Sequence, residues 1–169
     1  MGTRPSAPLV AIVDMQEELA HLLALVLADE GFRTVSALVG DFERGRRDVG
    51  AFLSEFDPAV VVWDVSLPYE ENWAFFRSVR NGQAAQGRQF VLTSTNKRAL
   101  EALVGATGAY QIVGKPFDLN TISAAVRSAA RTARRHREAA APKPGRSTVV
   151  SPVLRRPRGG TGVSPTAGP

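Results

Sequence analysis

The sequence predicts an α/β fold: one parallel sheet of five strands with helices on both faces. Three observations predict it. Short apolar runs rich in β-branched residues alternate five times with helical stretches between Leu9 and Arg131, and strands separated by helices pair in parallel through right-handed crossovers. The runs read as strands buried on both faces. Two of them end in an acid, Asp14 and Asp64, and ligands collect at the carboxyl ends of strands in an open parallel sheet.

The elements follow in order. Leu9 to Val13 is the first strand, closed by Asp14. Glu17 to Asp29 is a helix, with Leu19, Leu22, Leu23, Val26 and Leu27 at i, i+3, i+4, i+7 and i+8. Gly31 stops it, and Phe32 to Ala37 is a short strand. Asp41 to Phe56 is a weaker helix, its propensity lowered by Gly45 and Gly50. Asp57-Pro58 ends it. Ala59 to Trp63 is the central strand, followed by Asp64. Glu70 to Arg80 is a helix with Trp73, Phe76 and Val79 inward, and Asn81 to Gly87 a polar loop. Gln89 to Thr93 is the fourth strand. Asn96 caps a helix from Lys97 to Val104, and Gly105 to Gly108 is a loop. Ala109 to Val113 is the fifth strand, closed by Gly114-Lys115-Pro116-Phe117. Asp118 caps a last helix carrying Leu119, Ile122, Ala125, Val126 and Ala129 on one face.

Composition bounds the chemistry. The apolar fraction is 44% and cysteine is absent, which excludes disulfides and thiolate chemistry. The two histidines, His21 and His136, are too few and too far apart for a zinc site. No apolar stretch spans a bilayer, and Met1 to Pro8 lacks the core of a signal peptide. A cytoplasmic protein is expected. The net charge of +5 is uneven: residues 1–125 carry 11 basic and 15 acidic residues, residues 126–169 carry 10 basic and one acidic. Six of eleven prolines fall in 142–169. The expected organisation is a short segment over 1–8, a folded domain over 9–138 and a disordered basic tail over 139–169.

Each strand end carries a reactive group: Asp14, Asp64, Thr93 and Lys115. A carboxylate can accept a phosphoryl group as an acyl phosphate. That reaction needs a cation against the phosphate oxygens, a hydroxyl to bond one of them, and usually Mg²⁺ on oxygen ligands. The order and placement of these four residues resemble the receiver domain of two-component response regulators. The resemblance covers Leu9 to Arg131 and implies a flavodoxin-like sheet of order 2-1-3-4-5. It implies Asp64 as phosphoacceptor, Thr93 and Lys115 as phosphate contacts, and Thr93 and Ile112 at the switch positions. It implies Mg²⁺ on Asp14, Asp64 and the main-chain carbonyl of Ser66. Lys115-Pro116-Phe117 matches the family's Lys-Pro-Phe, whose bond before the proline is typically cis.

Three positions depart from the family. Met15 stands where a second metal-binding acid is usual, so Mg²⁺ affinity is expected to be weak. Gln16, Glu17 and Glu18 are the neighbours that can reach in, although Glu17 and Glu18 also serve as first-turn charges. Ile112 replaces the switch aromatic, with Tyr110 two residues earlier. The glycine usual after the phosphorylation loop is replaced within Tyr69 to Trp73. The resemblance implies a single-domain response regulator, not an enzyme beyond self-catalysed phosphorylation and dephosphorylation. Its expected partners are a histidine kinase or phosphotransfer protein and an unknown downstream protein. The alternative is a pseudo-receiver, an interaction module that works without phosphorylation, which Met15 and Ile112 favour. Arg127, Arg131, Arg134, Arg135 and Arg137 raise nucleic-acid binding as a third class. No aromatics interleave them for stacking, so a solvated helix face is the favoured reading.

Overall fold

The computed structural model describes residues 7–105 and 110–141. Five strands form one parallel sheet in the order β2-β1-β3-β4-β5: β1 (Leu9–Asp14), β2 (Arg33–Leu38), β3 (Val60–Asp64), β4 (Gln89–Ser94) and β5 (Gln111–Gly114). Helices α1 (Glu17–Asp29), α2 (Val39–Glu43), α3 (Val49–Phe56), α4 (Tyr69–Asn81), α5 (Lys97–Val104) and α6 (Leu119–Ala140) connect and flank them. The fold class and strand order are those the sequence predicts.

Strand periodicity divides the core into two layers. On one face Val61 and Trp63 of β3 meet Phe42, Phe52, Phe76 and Phe90, with Trp63 ringed by Phe42, Phe75 and Phe76. On the other face Val60 and Val62 pack with Leu23 and Leu27 of α1 and Ile122 and Val126 of α6. Both faces of β3 are therefore buried, which is why its sequence shows no alternation.

The same periodicity places the reactive strand ends together. Val10 and Ile12 of β1 stand in register with Val60 and Val62 of β3. Two residues further along each strand lie Asp14 and Asp64, on the side of the sheet that α1 and α6 cover. Asp64 pairs with Thr93 of β4, and Thr93 pairs with Val113 of β5, two residues before Lys115.

Several elements differ from expectation. The stretch Asp41 to Phe56 is two helices. Gly45 adopts φ 65°, and the Asp48 carboxylate accepts from the Ala51 amide at 2.6 Å to restart the helix as α3. Strand β2 is displaced by one residue from the predicted Phe32–Ala37; of the predicted Ala109–Val113, β5 begins at Gln111, Tyr110 stands before it, and Ala109 lies outside the described residues. The polar loop after α4 contains a 3₁₀ turn, Gln83–Ala85. Leu22 is 45% exposed and Leu119 38% exposed, so the buried stripes of α1 and α6 are narrower than their leucines suggest. Helix α6 runs to Ala140, past the expected boundary at 138, although Ala133 is its last buried residue. The caps at Asn96 and Asp118 form as predicted. Residues 1–6, most of the 105–108 loop and the tail from 142 lie outside the described residues.

Candidate functional site

Asp14, Asp64, Thr93 and Lys115 meet at the carboxyl end of the sheet. Asp14 and Asp64 are 1% exposed and Thr93 is fully buried. The Lys115 ammonium lies between the carboxylates, 2.9 Å from Asp14 Oδ2 and 3.0 Å from Asp64 Oδ1. The backbone carries it there: the Lys115 amide bonds to the Ser94 carbonyl at 2.7 Å, extending the β4–β5 ladder. The Lys115–Pro116 bond is cis, as the family resemblance implies. A second cis bond, Leu67–Pro68, was not foreseen.

Each carboxylate oxygen already has a protein partner. Asp64 Oδ1 accepts from the Thr93 hydroxyl at 3.2 Å, and Oδ2 from the Ser66 hydroxyl at 2.6 Å. Asp14 Oδ1 accepts from the Gln16 amide at 3.0 Å. Burial holds the Asp14 carboxyl above its ordinary value, and the Asp64 charge raises it further; the Lys115 contacts offset this in part. Two largely buried carboxylates thus face one ammonium.

Part of this arrangement is not legible in the sequence. The family resemblance gives the Ser66 main chain a role, and its side chain in addition is bonded directly to Asp64. Asn72 lies in the stretch Tyr69 to Trp73 where the family's glycine is replaced. Asn72 is buried on the inner face of α4, and its amide donates to the Ser66 carbonyl at 2.8 Å and the Leu67 carbonyl at 3.2 Å. A polar residue on the stripe that continues with Phe76 and Val79 was the available signal, because buried amides find partners. The Tyr69 and Thr95 hydroxyls, 2.8 Å apart, join the start of α4 to the loop after β4.

Other predicted residues stand aside. Met15 is 39% exposed and makes no part of the cluster. Glu17 and Glu18 are exposed in the first turn of α1, as a favourable helix-terminus charge would be. Ile112 is half-buried beside the aromatic layer, and Tyr110 is wedged edge-on against Trp73 and Phe76.

Mg²⁺ prefers oxygen ligands and is commonly held by one or two carboxylates plus water. The excess of carboxylate over ammonium fits such an ion, and carboxylate oxygens accept more than one partner. The Ser66 carbonyl has given one lone pair to Asn72 and keeps another. The residues fit the ion with two carboxylates, Asp14 and Asp64, one acid fewer than a site that also carries an acid at position 15. Among the described residues, no group of three or more His, Cys, Asp or Glu side chains is placed to hold a metal.

No family model matches the chain. It is 29% identical over 118 residues to a probable chemotaxis protein CheY of Rhizobium etli, covering 69% of this chain and 88% of that protein. It is 25% identical over 126 residues to the transcriptional regulatory protein GltR of Pseudomonas aeruginosa, covering 73% of this chain and only 49% of GltR. Among solved structures, a transiently phosphorylated switch in bacterial signal transduction superposes with a TM-score of 0.58 at 25% identity, over 75% of this chain and 97% of that one. NtrX from Brucella abortus superposes with a TM-score of 0.61 at 22% identity, over 79% of this chain and 28% of NtrX, which speaks to the fold alone. Strand order and sequence similarity lead to the same place: the fold is that of the CheY-like receiver domains, and the chain is similar to the receiver domains of response regulators.

Proposed function

We propose that Asp64 accepts a phosphoryl group from a histidine kinase or phosphotransfer protein and that the chain signals through protein–protein contact. The observation that carries this reading is the Lys115 ammonium held 3.0 Å from Asp64 Oδ1, the same oxygen that accepts from Thr93. A nucleophile, a fixed cation and a hydroxyl at one buried point are what phosphoryl transfer to a carboxylate requires.

In the transfer, an Asp64 oxygen forms a bond to phosphorus while the donor nitrogen–phosphorus bond breaks. The leaving imidazole keeps the electron pair and takes a proton from solvent. The Lys115 ammonium balances charge on the phosphoryl oxygens. The Thr93 hydroxyl turns from the carboxylate to a phosphoryl oxygen, and the half-buried Ile112 and Tyr110 adjust to the space it leaves. The Ser66 hydroxyl must release Asp64 Oδ2 for a donor to approach. Asp14, Asp64 and the Ser66 carbonyl would hold Mg²⁺, which when bound supplies positive charge against the transferring group.

A second reading has its own support. Ser66 and Asn72 occupy groups that phosphorylation needs free, and Met15 adds no ligand; a pseudo-receiver working by contact alone would look like this. In either reading the receiver spans about 9–138, the basic stretch beyond is an appendage, and the setting is the cytoplasm. Incubation with acetyl phosphate and Mg²⁺, followed by intact mass, separates the two. A single adduct in the wild type and none in Asp64→Asn supports the first. No adduct at any Mg²⁺ concentration supports the second.

A further inference from the structure

A groove of about 630 Å³ opens at the amino-terminal end of the sheet. It lies roughly 15–20 Å from Asp64 along β3, at about 3.3 Å per strand residue. Leu9, Phe32, Phe56, Ala59 and Ala130 give it apolar lining. Arg33 of β2 and Arg127, Arg131, Arg134 and Arg137 of α6 add guanidinium groups.

The ion pairs sort these arginines. Arg127 pairs with Glu30, Arg137 with Asp57 at 3.4 Å, and Arg134 with Glu138 at 3.5 Å. Among the described residues, Arg33 and Arg131 have no carboxylate within ion-pair distance. They are exposed, sit on different elements and line the same groove. An apolar floor with two uncompensated guanidiniums is complementary to an anion with an apolar anchor.

The residues on either side of the fold are not acidic. Residues 1–6 carry one arginine and no acid; residues 142–169 carry Lys143, Arg146, Arg155, Arg156 and Arg158 and no acid. The groove's own uncompensated charge is positive on two separate elements, which suits an extended acidic occupant more than a compact one. An apolar floor suits protein side chains more than a sugar-phosphate backbone, since nucleic acid is held mainly by phosphate contacts. We infer that this groove binds an acidic peptide segment of a partner protein, with one or more large apolar side chains on the Phe32 and Phe56 floor and carboxylates on Arg33 and Arg131. The site is separate from Asp64 and does not depend on phosphorylation.

The test uses the full chain and fluorescence anisotropy. One probe is a labelled synthetic peptide rich in glutamate, with leucine and phenylalanine on one helical face. A second replaces those apolar residues with serine, and a third is a single-stranded thymidine oligonucleotide. The first should bind, and the serine version should bind roughly tenfold more weakly, because apolar burial carries part of the affinity. Arg33→Glu and Arg131→Glu, both at exposed positions, should each weaken binding of the first peptide by roughly tenfold while leaving Tm unchanged. Asp64→Asn should bind it like the wild type. Four results would each overturn the inference: no binding of the first peptide, equal binding of the serine version, indifference to both arginine substitutions, or tighter binding of the oligonucleotide that the same substitutions abolish.

Discussion

Asp14 and Asp64 share a single ammonium, and that shortage governs substitutions at the site. Burial and the Asp64 charge raise the Asp14 carboxyl above 3.8. A carboxyl that titrates higher in the folded chain than in the unfolded one takes up a proton on folding, so stability falls as pH rises through that interval. Asp14→Asn should therefore raise the neutral-pH Tm, measured in EDTA, by a few degrees. The gain should shrink as pH falls through the raised Asp14 value toward the ordinary carboxylate range, and be absent below that range. Met15→Asp should act in the opposite sense without metal, adding a third acid at the same edge, and should strengthen Mg²⁺ binding by adding a hard ligand. Trp63 fluorescence during Mg²⁺ titration reads this out; equal affinity in wild type and variant would mean another oxygen already fills the position. Asp14, Asp64, Thr93 and Lys115 were all legible as strand-end residues because the strand period aligns them. The Ser66 and Asn72 side chains were not, since their contacts depend on how the loop after β3 folds back, which no periodicity encodes.

At the scale of elements, that loop is held by α4. Asn72 ties the Ser66 and Leu67 carbonyls to the first turn of the helix. Replacing it with alanine leaves two carbonyls short of a buried partner, at a cost of about 1–3 kcal/mol, which urea denaturation would measure. The same change frees the Ser66 carbonyl, so Mg²⁺ affinity should rise even as stability drops. A fall in both would mean that Asn72 orients the carbonyl for metal rather than competing for it. Deeper in α4, Phe76 is fully buried against Trp63, Trp73, Phe90 and Tyr110. Phe76→Ala should cost about 3–5 kcal/mol and shift near-ultraviolet circular dichroism, because two tryptophans lose their packing partner. The inward face of α4 was readable from Phe76 and Val79. The break between α2 and α3 was only half readable. Gly45 and Gly50 both weaken a helix, yet only Gly45 takes a positive φ, and the restart depends on the Asp48 cap.

For the whole molecule, the parallel sheet separates two chemistries. Its carboxyl end gathers buried acids around one lysine, and its amino end gathers arginines over an apolar floor. Alternation of strands and helices made the sheet and its class legible, because each crossover must return the chain to the same edge. The groove was not legible, since Phe32, Phe56 and Arg131 are far apart in sequence and meet only through the packing of α6. Among the described residues, no helix is long and apolar enough to cross a membrane. Phosphoryl transfer at the carboxyl end is best tested at the level of one atom. After exposure to a small phosphoryl donor with Mg²⁺, borohydride reduces an acyl phosphate and converts its aspartate to homoserine. Peptide mapping should then find homoserine at position 64 alone, in amounts that fall when Lys115 is replaced by alanine. Homoserine at another aspartate, or none anywhere while Mg²⁺ still quenches Trp63, would contradict the assignment of Asp64 as the acceptor.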